Sequence, residues 1–335
     1  MPYMGSLPRF SALALAATIL SGCAAAQKGS DFDRYLDQFQ AVRASGEELY
    51  LKASVIAEQR GAETNASADE NKKALEARFD ALRLVDRYNR LLTGLARGED
   101  PKVLKSEMSG IGGKLADYKP SAATQSFALA AAVPYLGIVM EGASVVQDAL
   151  AKRRFLTAVK EAQKPISAIL DILLADSKPL EELIVQGMLR EQDPYRAQID
   201  ALGGRYYRAL QGRKASDALK LQLDRHNALR KSIARAPIEA EFAENGSEVL
   251  ASELETLGGL VDQVEADELQ YRGVESRVAA QRAVFSRYRD SLEAAKGSLA
   301  ALNRDSEEER AHATNQFNEQ ALSLRRESVR LQEGR

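Results

Sequence analysis

The sequence has no Trp, two His and a single Cys in 335 residues. One thiol forms no intrachain disulfide and builds no Cys-based zinc centre. Two isolated His leave little for His-based catalysis or metal binding. His226 lies among basic residues and His312 in a polar tail, and neither has a second His at i+3 or i+4. Both are read as solvated. Charge of one sign is missing too: 46 Lys and Arg against 48 Asp and Glu leave a formal charge of −2. That balance excludes a globally basic nucleic-acid binder. Proline is absent between residues 24 and 100 and after Pro237. Because proline breaks helix interiors, long helices are expected at both ends and shorter ones between Pro101 and Pro237. No hairpin turn sits between alternating strands.

What is present begins at the amino end. Arg9 is the first charged side chain and Lys28 the next. Phe10 to Leu20 is an apolar run of signal-peptide length, too short for a stable bilayer anchor. Leu20-Ser21-Gly22-Cys23 follows, so the apolar run, two small residues and the only Cys fall in register. Over residues 1–23 the chain resembles the bacterial lipoproteins with their lipobox. The resemblance implies cleavage between Gly22 and Cys23, diacylglycerol on the Cys23 sulfur and a fatty acid such as palmitate on the new amino group. Several acyl chains hold a protein firmly at a membrane, at about 0.8 kcal/mol per buried CH₂. Ala24 follows the Cys where enterobacterial inner-membrane lipoproteins carry Asp. The resemblance therefore implies the periplasmic side of the outer membrane rather than the inner membrane. A secretory signal cleaved near Ala24-Ala25-Ala26 is the alternative.

Leu250, Leu257, Val264, Tyr271, Val278, Phe285, Leu292 and Leu299 recur every seven residues. The spacing predicts one helix from Leu250 to Leu302, about 80 Å long at 1.5 Å per residue, with Gln281 as a polar interruption. Tyr35, Phe39, Val42, Leu49, Ala53 and Ile56 predict a first helix with Gly46 in a core slot. Ser67 with Glu70 fits a capping box for a second helix through Phe79, Leu82 and Val85. Asp193-Pro194 reads as an N-cap and first helical position, with helix continuing past Gly203-Gly204 toward Arg235. Phe317, Leu324 and Leu331 predict a docked or frayed terminal helix. The expected fold is all-α: an elongated, coiled-coil-like bundle of long helices with a compact apolar helical middle. Its parts are a signal peptide (1–22), a lipidated tether (23–30), an N-terminal long helix or hairpin (31–98), an apolar middle region (99–192) and a C-terminal helical hairpin with a polar tail (193–335).

Two features bear on function. Charge is segregated: residues 205–236 carry +7, from Arg205, Arg208, Arg213, Lys214, Lys220, Arg225, Arg230, Lys231 and Arg235 against Asp217 and Asp224. Residues 238–270 contain no Lys or Arg and carry −10. An antiparallel hairpin of mutually attracting arms is expected, turning at Ala236-Pro237 or Asn245-Gly246. The other reading is a basic face for anionic headgroups. The second feature is Phe127 to Met140, continuously apolar, with Phe127, Leu129, Val133, Pro134, Leu136, Ile138 and Met140 as its marked residues. It is read either as a buried core helix pair or as a membrane-inserting tongue. Long helices flanking an apolar hairpin resemble the layout of α-helical pore-forming toxins. Gly110 to Lys114 lacks the first Gly and the Ser or Thr of a phosphate loop. No catalytic residue, metal ligand or small-molecule substrate emerges. The expected protein is a lipid-anchored envelope scaffold or binding module, not an enzyme. It needs no cofactor beyond the lipid on Cys23, and it pairs with a protein partner or a second copy through helix faces.

Overall fold

The computed structural model describes residues 11–64, 78–79, 81–83, 85–86, 89–90, 155–240, 242–304 and 306–333. Among them the helices are α1 (Ser11–Thr64), α2 (Phe155–Arg190), α3 (Asp193–Leu210), α4 (Asp217–Ser232), α5 (Ala251–Ala301) and α6 (Glu307–Gln332). Further helical positions occur between 78 and 90. No strand occurs among the described residues, only an isolated bridge between Arg213 and Ser247. The protein is an all-α helical bundle. It divides into two compact units: residues 1–183 with 283–333, and residues 184–282.

In the first unit α1 and α6 run parallel. Tyr35 meets Phe317 at 5.4 Å between ring centroids, Ser45 meets Ser328 at 3.5 Å, and Gln332 donates to Glu48 at 3.0 Å. The helical residues of 78–90 run against α1, Tyr50 packing edge-on to Phe79 and Arg43 pairing with Asp86 at 2.8 Å. α2 and α5 are antiparallel, tied by Glu181–Arg289, Asp171–Lys296 and Gln163–Asn303. The core holds Phe32, Tyr35, Phe39, Tyr50, Leu82, Phe285, Tyr288 and Phe317, all fully buried. Burial holds the Tyr35 and Tyr288 phenols far above their ordinary range. The α1 periodicity thus supplies the buried stripe, and Gly46 is the exception with a reason. A Cβ there would meet the Tyr288 hydroxyl at 2.7 Å and Leu82 at 3.0 Å. Gly46→Ala is therefore expected to cost about 1–3 kcal/mol by overpacking, net of the helix propensity it gains. Chemical denaturation followed by circular dichroism measures it, and an unchanged midpoint would show that the core yields freely.

α2 departs from expectation. It runs through Pro165 and Pro179, where shorter helices are predicted. Its buried face of Ile166, Ile169, Leu170, Leu173 and Leu180 outweighs the lost backbone bonds, since most helical stability comes from packing. Ser177 donates to the Leu174 carbonyl at 2.6 Å in the turn that Pro179 interrupts. Residues 23–30, read as a tether, have helical backbone within α1. The capping pair Ser67 and Glu70 lies outside the described residues. The polar tail is a docked helix: Ser306 caps α6 by accepting from the Glu309 amide, and Phe317, Ala321 and Leu324 are buried. Glu307, Glu308 and Glu309 are exposed and occupy its first turn, where the helix dipole favours negative charge.

Candidate functional site

The second unit carries the segregated charge. α3 does not continue to Arg235. It ends at Leu210, and Gly212 adopts φ 68°, a conformation open to glycine. Ser216 then caps α4, accepting from the Leu219 amide. At the other end Asp193 is the first helical residue rather than the cap. Gln192 precedes it without a side-chain cap bond, and Pro194 falls within the first two positions. The core of the unit is Ile199, Leu202, Tyr206, Leu210, Leu219, Ile233, Leu257, Val261 and Val264.

Basic and acidic arms do meet, but not as an antiparallel hairpin. Arg213 pairs with Glu253 at 2.7 Å, Lys214 with Glu248 at 3.9 Å, and Arg225 with Asp262 at 3.1 Å and with Glu265. Ser232 donates to Glu268 at 2.8 Å. Along α4 the partner numbers rise together, Gln222 with Leu254, Arg225 with Asp262 and Ser232 with Glu268, so α4 and the start of α5 are parallel. The chain returns between them as a strap, residues 233–240 and 242–250, which holds a tight turn where Asn245-Gly246 is expected, the Gly246 amide donating to the Ala243 carbonyl at 3.0 Å, but that turn does not join antiparallel arms. Asn227 clips the strap with two bonds, accepting from the Ile238 amide at 2.7 Å and donating to its carbonyl at 3.1 Å. Ile238, Phe242 and Val249 pack on the core from this strap. A parallel pair needs a long return, and the apolar strap residues supply the burial that holds it.

The remaining basic residues divide two ways. Arg230 and Arg235 both reach Asp200 on α3, at 3.5 and 2.6 Å. Gly203 lets the Arg230 guanidinium cross α3, since a Cβ there would lie 2.5 Å from Nη1. Arg205, Arg208, Lys220 and Lys231 are exposed and make no ion pair among the described residues. The Arg213–Glu253 bond and the Leu250 amide together hold the Glu253 carboxyl below its usual range, the amide contributing most.

His226 overturns its expected solvation. It is fully buried and stacked on Tyr206, with centroids 4.7 Å apart and planes 3° from parallel. Neither ring nitrogen has a hydrogen-bond partner. Burial, with Arg230 adding repulsion, pushes the imidazole down to about 4, and burial pushes the Tyr206 phenol up to about 12. Basic neighbours in sequence gave the wrong signal: Arg225 turns to Asp262 and Glu265, and Arg230, one turn along the same face, reaches out to Asp200. The i, i+7 spacing of Leu219 and His226 was the cue to burial. His312 is exposed, as read.

Cys23 lies within α1. The segment Phe127, Leu129, Val133, Pro134, Leu136, Ile138 and Met140 lies outside the described residues. Among the described residues no helix is long and apolar enough to cross a membrane, and no group of three or more His, Cys, Asp or Glu is placed to hold a metal ion. No family model, curated protein or solved structure matches the chain.

Proposed function

We propose that the protein is a lipid-anchored component of the bacterial cell envelope, a helical scaffold that binds a partner through its helix faces. The observation that carries this reading is the register of the apolar run, Ser21, Gly22 and the only Cys. The helical backbone from Cys23 to the fully buried Phe32 supports it. Nine residues of helix span about 14 Å at 1.5 Å each, so the bundle would start close to the lipid instead of swinging on a long linker. The unpaired Arg205, Arg208, Lys220 and Lys231 offer the second unit's surface for partner contact. Outer-membrane attachment on the periplasmic side follows from Ala24 in the lipobox resemblance. The reading involves no catalysis.

Metabolic labelling with a palmitate analogue tests the anchor. The wild-type chain is expected to label and to sediment with outer membranes. Cys23→Ala is expected to lose the label completely and accumulate as precursor. Equal labelling of the variant, or a mature chain without fatty acid, would overturn the reading.

A further inference from the structure

Of the two imidazoles only His226 is buried, and the strap begins beside it. A Cβ on Gly203, three residues before Tyr206 on α3, would lie 2.5 Å from the Arg230 guanidinium and 3.4 Å from Ile238 Cδ1. Ile238 therefore lies on the seam between α3 and α4, one turn from the stacked rings of Tyr206 and His226. The anchors of this part of the strap follow His226 on α4. Asn227, the next residue, bonds both the amide and the carbonyl of Ile238. Arg230, one turn on, donates to the Ala236 carbonyl at 2.9 Å and reaches the Ile199 carbonyl and Asp200 on α3.

Both ends of this stretch are fixed. Ala234 adopts φ 56°, the left-handed region in which a Cβ crowds the following carbonyl, and the Arg235 amide closes the turn on the Arg230 carbonyl at 2.8 Å. The Ala243 amide donates to the Arg213 carbonyl at 3.0 Å, and Gly246 packs on the 212–214 backbone too closely for any Cβ. Residues 235–240 form a lid between a strained hinge and a firm seat.

Nothing beneath the lid answers a proton. Neither nitrogen of His226 has a partner, and Arg230 repels a second positive charge. Asp200 of α3 serves Arg230 and Arg235, Asp262 and Glu265 of α5 serve Arg225, and Glu268 of α5 serves Ser232 and Arg272. Burial favours the neutral form of Asp267. Arg205 of α3, Asp224 and Lys231 of α4 and Glu239 of the strap are exposed.

We infer that protonation of His226 opens this lid. The imidazolium drives Arg230 off the Ala236 carbonyl, the Asn227 clip follows, and residues 235–240 lift about Ala234 until the ring meets water. Lifting uncovers the apolar seam under Ile238 and leaves the later part of the strap seated on Arg213. The inference does not depend on the lipid anchor.

Hydrogen exchange of the full chain at pH 7.5 and pH 5, resolved to single amides and corrected for intrinsic rates, tests it. Exchange of the Ile238 amide is expected to rise about 25-fold at pH 5, the ratio for a ring that titrates near 6.5 in water and at about 4 beneath the lid. The Ala243 amide is expected to rise less, and amides of residues 285–299 in the first unit to hold level. Asn227→Ala is expected to speed the Ile238 amide about tenfold already at pH 7.5, the effect of losing its clip. His226→Phe is expected to keep the lid shut at both pH values. An Ile238 amide indifferent to pH in the wild type, a rise of the same size in His226→Phe, or an equal rise over residues 285–299 would each overturn the inference.

Discussion

Asp176→Ala is expected to destabilise the first unit by about 3–5 kcal/mol, the cost of removing the carboxylate from a buried ion pair. Arg78 holds Asp176 with two parallel hydrogen bonds, one of them Nη2 to Oδ1 at 2.7 Å. The residues are 4% and 1% exposed. Tyr50, with its ring 5.9 Å from the guanidinium carbon, is too weak a substitute for a carboxylate. The pair joins residue 78 to α2, so its loss also loosens two elements whose relative register it fixes. Arg78→Met with Asp176→Leu removes both charges together and is expected to recover most of the lost stability, because neither ion then needs desolvating. Urea denaturation followed by circular dichroism measures both. A shift below about 1 kcal/mol in Asp176→Ala would mean that water reaches Arg78 and that the pair behaves as a surface bridge.

The ion pair also marks the limit of what periodicity conveys. A seven-residue apolar repeat reports one helix and one buried stripe, and it placed α5 to within a residue at each end: Leu250–Leu302 expected, Ala251–Ala301 observed. Leu257, Val264, Val278, Phe285, Leu292 and Leu299 are buried as the repeat requires, whereas Leu250, ahead of the helix, is 65% exposed. Gln281, an interruption in the pattern, is buried all the same. Buried polar residues are invisible to hydrophobic spacing, because their burial rests on partners far away in sequence: Asp176 waits on a residue 98 positions earlier. The same holds for direction. Charge blocks showed that α4 and α5 attract, and attraction is indifferent to whether helices run parallel or antiparallel. The strap of residues 233–250 decides that, through Asn227 and the packing of Phe242 and Val249. Of the candidate site, the attraction of the charged arms was legible, and Arg213, Lys214 and Arg225 meet the acidic arm as the charge pattern predicts. The turn of Arg230 and Arg235 to Asp200 was not, because Asp200 lies on α3, outside both charge blocks.

Acidification is expected to loosen the second unit through His226. An imidazole in the unfolded chain takes a proton near 6.5, whereas in the folded unit it resists until about 4. Between these values the unfolded chain binds more protons, so this contribution to stability is complete above pH 6.5 and declines as pH falls toward 4. The loss across the window is about 2–3 kcal/mol. A protonated ring would carry two N–H donors into a site where neither nitrogen has a partner, beneath Tyr206 and one turn from Arg230. Arg225 already serves Asp262 and Glu265, and Asp200 already serves Arg230 and Arg235, so no carboxylate in these pairs is free to compensate. Asp267 works in the opposite sense, since burial raises its carboxyl above the ordinary range and stability from it grows as pH falls. His226→Phe separates the two: it keeps a flat ring against Tyr206 and removes the only group titrating there near neutrality. Hydrogen exchange of the α4 amides should show protection in the wild type falling between pH 6.5 and 4 after correction for intrinsic rates, and staying nearly level in the variant. Parallel decline in both proteins would assign the acid response to carboxylates and leave the buried imidazole without a part in it.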